Sequence, residues 1–370
     1  MAQEIYCPKR DTGRVTRPAR AAHRVVSAIT KPLTTPLGVE DFVALVNPLS
    51  SRRQLRGIVT GIVAETTDSA TITFRPGRGW QAHHAGQWAR IGVEIDGVRH
   101  WRSYSLSTGA GEDPAITVTA IGKVSDHLVH RTRVGDILFL APPQGDFVLP
   151  TGPRPLLMIT AGSGITPVMS MVRTLVRQRT DADVVLIHSS RDRTDALFFD
   201  ELLDLADRHD GLTVVSWFTS DRGRIDLGQA RDLDVVCPDW RTRTTYLCGP
   251  AEMLDAATEH WRGEDLDHQL VVERFAPALL PGVGGVGGVV QFEKSDKEAN
   301  APGDTTLLEV GESAGVVMPS GCRMGICRTC LTPLRAGQVR DLRTGEVHGE
   351  EGDLIQTCVN AAAGPVQLDI

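Results

Sequence analysis

The sequence has no apolar run that approaches the roughly 18 residues of a membrane-spanning helix. It also has no excess of positive charge, because 39 lysines and arginines face 46 aspartates and glutamates and the formal net charge is -7. This balance excludes the electrostatic footprint of a nucleic-acid-binding protein. Cysteine is scarce, with seven in 370 residues and no signal peptide before them, which argues against a disulfide framework. The composition predicts a soluble cytoplasmic protein whose thiols are free or bound to metal.

The cysteines that are present form a pattern near the end of the chain. The spacing C-x4-C-x2-C…C is made by Cys322, Cys327, Cys330 and Cys358. Plant-type ferredoxins use this spacing to hold a cluster of two irons and two sulfides with four thiolates. Zinc is the alternative, but zinc sites usually pair two short C-x2-C units, and only one such unit occurs here. The pattern therefore favours a 2Fe-2S cluster and single-electron transfer.

The organisation of the chain changes twice along its length. Short strands separated by glycine and proline, such as SATITFRP and AITVTAI, predict an antiparallel β-barrel. From Pro155 onward, apolar strands alternate with glycine turns and helices, which predicts an open parallel sheet with helices on both faces. Beyond a glycine-rich stretch, VVQFEK, DTTLLEVGESAG and GPVQLDI surround the cysteine loop and predict a small α+β domain of the β-grasp type.

These patterns divide the chain into an extension, three domains and a linker. The predicted units are an amino-terminal extension at 1–54, the barrel at 55–150, the α/β domain at 151–279, a flexible glycine-rich linker at 280–288 and the cysteine-containing domain at 289–370. The extension is basic before residue 30 and carries a short predicted helix at 39–49. Its basic part either contacts an acidic partner or membrane surface or is a solvated tail.

Two motifs in the predicted barrel are suited to a flavin nucleotide. In Arg102-Ser103-Tyr104-Ser105, strand alternation places Arg102 and Tyr104 on one face, where a guanidinium can pair with phosphate and a ring can lie on a flat heterocycle. Further on, Gly122-Lys123-Val124-Ser125 precedes a helix whose first amides can accept a pyrophosphate. The alternative for the second motif is an ordinary helix capped by Ser125.

Two motifs in the predicted α/β domain are suited to a dinucleotide. The segment Thr160–Pro167, TAGSGITP, follows a buried strand and opens a helix, which is where such sheets bind nucleotide phosphates. Cys248-Gly249-Pro250 follows a later strand and is expected to reach the same crevice. A tight turn without a ligand and a buried core cysteine are the alternatives.

The end of the second sheet strand is expected to select the nicotinamide nucleotide. A cation there favours the phosphorylated ribose, and the strand ends in Ser190 and Arg191, which favours NADPH over NADH. Asp192 and Asp195 lie close by and oppose this interpretation. A solvated surface arginine is the alternative.

In order, the RxYS, G-x-x-S, GSGITP, CGP and ERF motifs resemble the ferredoxin-NADP reductase family, and the cysteine pattern resembles a plant-type 2Fe-2S ferredoxin fused to it. The likeness covers about 55 to 370 and is greatest to actinobacterial NADPH-dependent reductases of membrane acyl-CoA desaturases or alkane hydroxylases. Reductases of aromatic-ring oxygenases and of phenylacetyl-CoA epoxidation are also similar.

The resemblance implies roles for particular residues. FAD would be bound by Arg102, Tyr104, Ser105, Thr119, Gly122, Lys123, Val124 and Ser125. The nicotinamide nucleotide would be placed by Gly162, Ser163, Gly164, Thr166, Pro167, Ser190, Arg191, Cys248, Gly249 and Pro250. Catalytic roles would fall to Ser105, Cys248 and Glu273, and Phe275 could cover the second face of the flavin.

The expected function is transfer of electrons from NADPH through FAD and the cluster to an oxygenase or desaturase. That partner is expected to be a fatty acyl desaturase or alkane hydroxylase, which would bring a cytoplasmic protein to the membrane periphery. An NADH-dependent reductase of an aromatic-ring or phenylacetyl-CoA oxygenase is one alternative. A redox-sensing flavoprotein without steady turnover is another, of a different functional class.

Overall fold

The computed structural model describes residues 47–51, 54–178, 183–275, 285–321, 323–325 and 328–370. The basic stretch and residues 39–46 of the predicted helix lie outside the described residues. The described end of the extension forms a 3-10 turn at Pro48–Ser50, where the Asn47 side chain accepts a hydrogen bond from the Leu49 amide.

The first unit is an antiparallel barrel with one helix. Its elements are β1 (Arg56–Ala64), β2 (Ser69–Pro76), β3 (Trp88–Ile95), β4 (Val98–Ser105), β5 (Ala115–Thr119), α1 (Lys123–His130) and β6 (Ile137–Leu140). The strands form one six-stranded sheet in the order β4-β3-β6-β1-β2-β5. A bridge between Leu106, which follows β4, and Ile116 on β5 joins the two edge strands. The predicted antiparallel barrel is therefore confirmed.

The second unit is a parallel sheet covered on both faces. Its elements are β7 (Leu156–Ala161), α2 (Ile165–Gln178), β8 (Val184–Ser190), α3 (Phe199–Arg208), β9 (Leu212–Phe218), α4 (Thr219–Arg222), α5 (Arg231–Val236), β10 (Thr244–Cys248), α6 (Ala251–Gly263) and β11 (Leu270–Glu273). The strand order is β11-β10-β7-β8-β9, and every pairing is parallel.

Alternation along β7 separates two hydrophobic cores in this unit. Met158 packs with α2 and α3 on one face, whereas Leu157 and Ile159 pack with α5 and α6 on the other. A strand buried on both faces has to be apolar throughout, which is why β7 reads as a continuous hydrophobic run. The predicted doubly covered parallel sheet is confirmed.

The third unit is a mixed sheet crossed by one helix. Its elements are β12 (Gly285–Phe292), β13 (Lys297–Gly303), α7 (Leu307–Ser313), β14 (Leu331–Ala336), β15 (Val339–Asp341), β16 (Val347–His348), β17 (Leu354–Gln356), β18 (Asn360–Ala362) and β19 (Val366–Leu368). A five-stranded sheet, β13-β12-β19-β14-β17, is accompanied by a three-stranded sheet, β16-β15-β18. Leu307 and Leu308 of α7 pack into the core of this unit, which confirms the predicted α+β fold.

The predicted linker at 280–288 overlaps a strand. β12 begins at Gly285, and residues 280–284 lie outside the described residues. A Cβ atom on Gly287 would lie 2.1 Å from the Ala301 carbonyl oxygen, and one on Gly288 would lie 1.9 Å from that of Gly364. These glycines therefore allow close backbone packing within a strand. The prediction of a linker is wrong for residues 285–288.

Within the described part of the chain, no helix is both long and apolar enough to cross a membrane.

Candidate functional site

Strand β4 presents the predicted flavin motif as the alternation required. Arg102 and Tyr104 lie opposite Ile91 and Ala89 of β3, whereas Ser103 lies opposite Arg90. The predicted separation of the two faces is confirmed.

The Arg102 guanidinium is a half-buried cation that forms no ion pair with an acidic side chain in the described part of the chain. Among the described residues, the only hydrogen bond of this side chain goes to the Trp101 carbonyl oxygen, at 2.8 Å. Burial, followed by the nearby charge of Arg323, lowers the pKa of Arg102. A bound phosphate would offset both costs, so this residue fits the phosphate of a flavin nucleotide.

Tyr104 and Ser105 complete this part of the barrel. Burial raises the pKa of Tyr104, so its phenol is neutral at every physiological pH. Ser105 is buried at the end of β4, opposite Trp88. Thr119 ends β5, and its hydroxyl accepts a hydrogen bond of 2.9 Å from Ser69.

Helix α1 begins one turn after Thr119, and its cap differs from the expected one. Gly122 is the N-cap, because its backbone is extended and helical geometry starts at Lys123. Ser125 is the third helical residue, and its hydroxyl accepts hydrogen bonds of 3.0 Å from the amides of Ile121 and Gly122. The interpretation of Ser125 as the cap is therefore wrong, since it reaches back to the cap from inside the helix. Val124 is buried, and Lys123 lies at the exposed start of the helix.

The turn after β7 is shaped by two glycines with different requirements. Gly162 has a φ of +53° and open space where a Cβ would stand. Gly164 faces backbone, since a Cβ there would lie 2.2 Å from the Cys248 carbonyl oxygen. The structure thus brings the GSGITP and CGP motifs into contact, as predicted. The Ser163 carbonyl accepts a hydrogen bond from the Thr166 hydroxyl. Pro167 is buried in the first turn of α2, and Pro250 is the N-cap of α6.

Three side chains share one row at the carboxyl ends of adjacent strands. Cys248 of β10 is in register with Thr160 of β7 on one side and with Glu273 of β11 on the other. Burial, with a smaller effect of Glu273, raises the pKa of the Cys248 thiol well above its usual range, so the thiol is neutral. Burial, with a smaller effect of Asp146, raises the pKa of Glu273 to about 7. The row therefore holds a neutral thiol beside a carboxyl whose pKa is raised into the neutral range.

The end of β8 presents a cation to solvent. The Arg191 side chain is 78% exposed and pairs with Asp195 at 3.0 Å. The Asp192 carboxylate is engaged within its own turn, because it accepts hydrogen bonds from the amide and hydroxyl of Thr194 and from the Asp195 amide. The Ser190 hydroxyl donates to the Asp192 carbonyl. A phosphate at Arg191 would therefore replace one exposed ion pair, and such pairs contribute little stability.

Phe275 lies just after β11 and is 42% exposed at the edge of the described residues. An exposed ring at this place is available to a flat ligand.

The cysteine loop is seen in part. Cys322 and Cys327 lie outside the described residues. Cys330 and Cys358 are buried, and their sulfurs are 3.2 Å apart, compared with about 2.05 Å in a disulfide. Their hydrogen bond is the main cause that lowers the pKa of Cys330 to about 6, which favours the thiolate that a metal requires.

Tertiary contacts shape the loop around these thiols. Gly325 has a φ of +74°, and a Cβ there would lie 2.6 Å from an Arg343 nitrogen. Its carbonyl accepts a hydrogen bond of 2.9 Å from the Gln356 side chain. Arg323 and Arg328 also have positive φ. This tightly curved backbone fits a loop wrapped around an inorganic cluster.

Several residues near these sites carry no local sequence signal. Asp146 influences Glu273 from the loop after the barrel, and Arg343 is an ion-paired cation that lies against Gly325. On the seam between the barrel and the parallel sheet, Arg173 donates to the Ser107 carbonyl and pairs with Glu201. Such residues are recognised only when distant segments are brought together.

Comparisons with known families agree with this geometry. Residues 158–259 match the oxidoreductase NAD-binding domain, and residues 290–362 match the 2Fe-2S iron-sulfur cluster binding domain. Phthalate dioxygenase reductase, a modular protein for electron transfer from pyridine nucleotides to [2Fe-2S], has a similar fold. Its TM-score is 0.60 at 23% identity, covering 85% of this chain and 97% of that chain.

The fold and the matched domains define a flavin oxidoreductase that uses FAD, a 2Fe-2S cluster and NAD(P)H. One relative is an NADPH oxidoreductase of Mycobacterium tuberculosis strain H37Rv, 45% identical over 91% of this chain and 90% of that protein. Another is the ferredoxin reductase component of 3-ketosteroid-9-alpha-monooxygenase from Mycolicibacterium smegmatis, 29% identical over 80% of this chain and 88% of that protein. The chain belongs to the family of the first relative, the ferredoxin-reductase-type oxidoreductases with a carboxyl-terminal 2Fe-2S domain.

Proposed function

We propose that this protein oxidises NADPH and delivers single electrons to an oxygenase or desaturase, specifically a membrane-bound fatty acyl desaturase or alkane hydroxylase. The observation that carries the dinucleotide part is the row of Thr160, Cys248 and Glu273, with Gly164 in backbone contact at its edge. When bound, FAD would supply the change from two-electron hydride chemistry to single-electron transfer, and Arg102, Tyr104 and Ser105 would hold it.

The barrel residues hold the flavin nucleotide in this proposal. Arg102 would pair with a phosphate of the flavin nucleotide. This pairing would balance a partly buried charge that has no acidic partner among the described residues. Tyr104 and Ser105 would hold the flavin ring system, and Thr119, at the end of β5, would line the approach to α1. The amides of the segment Gly122, Lys123, Val124 and Ser125 receive the pyrophosphate.

Residues of the parallel sheet place the nicotinamide in this proposal. The turn of Gly162, Ser163, Gly164, Thr166 and Pro167 leaves space for the nucleotide, and Cys248, Gly249 and Pro250 form the opposing wall. Because the Cys248 thiol is neutral, it packs against the ring without acting as a nucleophile. Glu273 has a pKa raised to about 7, so it could exchange a proton beside the flavin, and Phe275 would be available to cover the second flavin face.

The preference for NADPH is assigned to Arg191 and Ser190. A guanidinium binds a 2′-phosphate with charge-assisted hydrogen bonds, and Asp192, which would favour an unphosphorylated ribose, is occupied by its own turn. The name of the mycobacterial NADPH oxidoreductase supports the same nucleotide.

Transfer to an oxygenase is supported by the relative that serves 3-ketosteroid-9-alpha-monooxygenase. The narrower choice of a desaturase or alkane hydroxylase follows the motif resemblance, and it implies a cytoplasmic protein that meets the membrane through its partner. The competing function is a reductase for a soluble aromatic-ring or phenylacetyl-CoA oxygenase.

The nucleotide assignment is tested by mixing the holoprotein anaerobically with NADPH or NADH in a stopped-flow spectrometer. Sequential loss of flavin and cluster absorbance, faster with NADPH, is expected. Arg191→Ala should weaken NADPH binding by about ten- to a hundredfold and leave NADH binding unchanged. This loss corresponds to roughly 1.5 to 3 kcal/mol, the contribution of hydrogen bonds to a charged group.

Arg193→Ala is the matched control, because Arg193 is two residues away and is engaged by Asp200 and Phe199. Equal losses for both variants, or bleaching with NADH alone, would contradict the NADPH assignment. Absence of bleaching with either nucleotide would instead favour a redox sensor.

The acceptor is tested separately with the reduced holoprotein. Oxidation by a fatty acyl desaturase in phospholipid vesicles should be faster than oxidation by a soluble aromatic-ring oxygenase. The reverse order would replace the proposed partner with the competing one.

A further inference from the structure

Within the described residues, a hydrogen bond between side chains joins the barrel to the 2Fe-2S domain beside the cluster. Arg90 of β3 donates from Nη1 to the Thr329 hydroxyl at 2.7 Å, across 239 positions of sequence. Thr329 directly precedes the cluster ligand Cys330. Arg90 is also the cross-strand partner of Ser103, the residue between Arg102 and Tyr104. The bond therefore joins the strand next to the flavin motif to the cluster loop.

Barrel residues hold the Arg90 side chain in place. Its guanidinium lies 5.9 Å from the centre of the Trp101 ring, a distance typical of a cation–π contact. The ring has room because residue 92 is glycine, where a Cβ would lie 3.0 Å from two ring carbons. Arg90 Nε and Ser103 Oγ are buried and have no hydrogen-bond partner within the described residues. Burial of unpaired polar atoms is costly, which indicates that this face is shaped for contact and not only for barrel stability.

A second group of charges lies along the same edge of the barrel. Arg323 of the cluster loop pairs with Glu312 of α7, within the 2Fe-2S domain. Both charges influence the pKa values of His100 and Arg102 on β4, so they lie near that strand. The Arg323–Glu312 pair offsets the repulsion that an unpaired Arg323 would exert on Arg102.

We propose that Arg90 is a positioning residue that holds the 2Fe-2S domain in the geometry for electron transfer from flavin to cluster. The Arg90–Thr329 hydrogen bond, called the latch below, holds the two domains in that geometry. Trp101, for which Gly92 leaves room, orients the Arg90 guanidinium. The inference rests on the proposed path of electrons from flavin to cluster, and it assigns control of the second step to a residue outside the cofactor motifs.

The rate test uses stopped-flow reduction of the holoprotein, with separate wavelengths for flavin and cluster. Arg90→Ala and Thr329→Val should leave reduction of the flavin by nucleotide unchanged and slow the following reduction of the cluster by about tenfold, equivalent to about 1.4 kcal/mol of docking free energy. The double variant should be no slower than either single variant, because both remove the same bond. Arg75→Ala, an exposed arginine of β2, is the matched control and should change neither phase.

A second readout does not depend on turnover. Amide hydrogen exchange in the oxidised holoprotein should show faster exchange in β3, β4 and the segment 328–330 for Arg90→Ala and Thr329→Val, and no change for Arg75→Ala. If Arg90→Ala and Thr329→Val change neither hydrogen exchange nor the rate of cluster reduction, the proposed role of the Arg90–Thr329 bond would be overturned. Equal slowing by Arg75→Ala would do the same.

Failure of the proposed function is distinguishable from failure of the latch. A flavin that neither nucleotide reduces would overturn the proposed function, and hydrogen exchange would still decide whether Arg90 and Thr329 hold the domains together.

Discussion

Replacement of Gly164 by alanine tests whether the two nucleotide motifs meet as the structure shows. The added Cβ would lie 2.2 Å from the Cys248 carbonyl oxygen, 2.6 Å from its carbon and 2.9 Å from the Gly249 nitrogen. Ordinary contacts begin at about 3.2 to 3.5 Å, so α2 and the end of β10 would have to separate by about 1 Å. Both sides of the contact are backbone and cannot rotate away.

The magnitude follows from the kind of atoms that collide. Overpacking a tight site costs about 1 to 3 kcal/mol, and a contact between two backbone segments belongs at the upper end, near 3 kcal/mol. Gly162→Ala is the matched comparison, because its Cβ meets no described residue within 4 Å and the φ of +53° is what disfavours alanine. That conformational cost is about 1 kcal/mol. The two variants should therefore differ by about 2 kcal/mol in the free energy of unfolding.

The assay is urea unfolding followed by the fluorescence of Trp240 and Trp261, which are buried in the core of the parallel-sheet domain. Nucleotide binding is measured on the same samples. Gly164→Ala should lose the most stability, whereas Gly162→Ala should mainly weaken binding, since its methyl group would enter the space proposed for the nucleotide. Wild-type stability in Gly164→Ala, or an equal loss in both variants, would refute the inferred contact.

Three further predictions concern separate parts of the molecule. Glu273 has a pKa of about 7 in the fold and about 4.3 when unfolded, so its contribution to stability is fully present below about pH 4.3 and is lost as the pH rises through 7. In urea-unfolding titrations, the free energy of unfolding of Glu273→Gln should therefore rise by up to about 3 kcal/mol relative to that of the wild type as the pH rises from 4 to 8. A difference between the two proteins that stays constant over this range would contradict the raised pKa of Glu273. Gly325→Ala, whose Cβ would strike Arg343 at 2.6 Å, should lower the iron content and visible absorbance of the purified protein, and full iron occupancy would show that the loop can yield. Arg243→Ala should cost about 2 to 3 kcal/mol in thermal unfolding, because its side chain is only 7% exposed and pairs with two carboxylates. Arg241→Ala should cost clearly less, because its side chain is 44% exposed although it is also doubly paired, and equal losses would contradict the role of burial.

Much of the fold could be predicted because its signals are local. Alternation predicted which residues of β4 share a face, and continuous apolar runs predicted the strands of the parallel sheet, as the register and the two cores confirm. The cysteine spacing predicted a 2Fe-2S domain, which the family comparison supports. These features depend on side-chain period and on the reach of a short loop, and both are visible in a sequence.

Local signals were misleading where backbone geometry decided the outcome. Glycine content at 285–288 indicated a linker, but close contacts with the carbonyls of Ala301 and Gly364 place these residues in a strand. Ser125 had the chemistry of a cap, but helical geometry already begins at Lys123. In both cases the residue type was compatible with two roles, and a neighbouring segment or a dihedral angle chose between them.

The sequence by itself determined the three folding units, the order of the cofactor motifs and the class of chemistry, because each follows from side-chain period and from the spacing within short motifs. Only the tertiary structure decided that Asp146 influences Glu273 and that Arg90 binds Thr329. These contacts join residues from separate motifs or domains, and the last pair lies 239 positions apart. Such proximity arises when separate cores pack together, so no local pattern of residues encodes it.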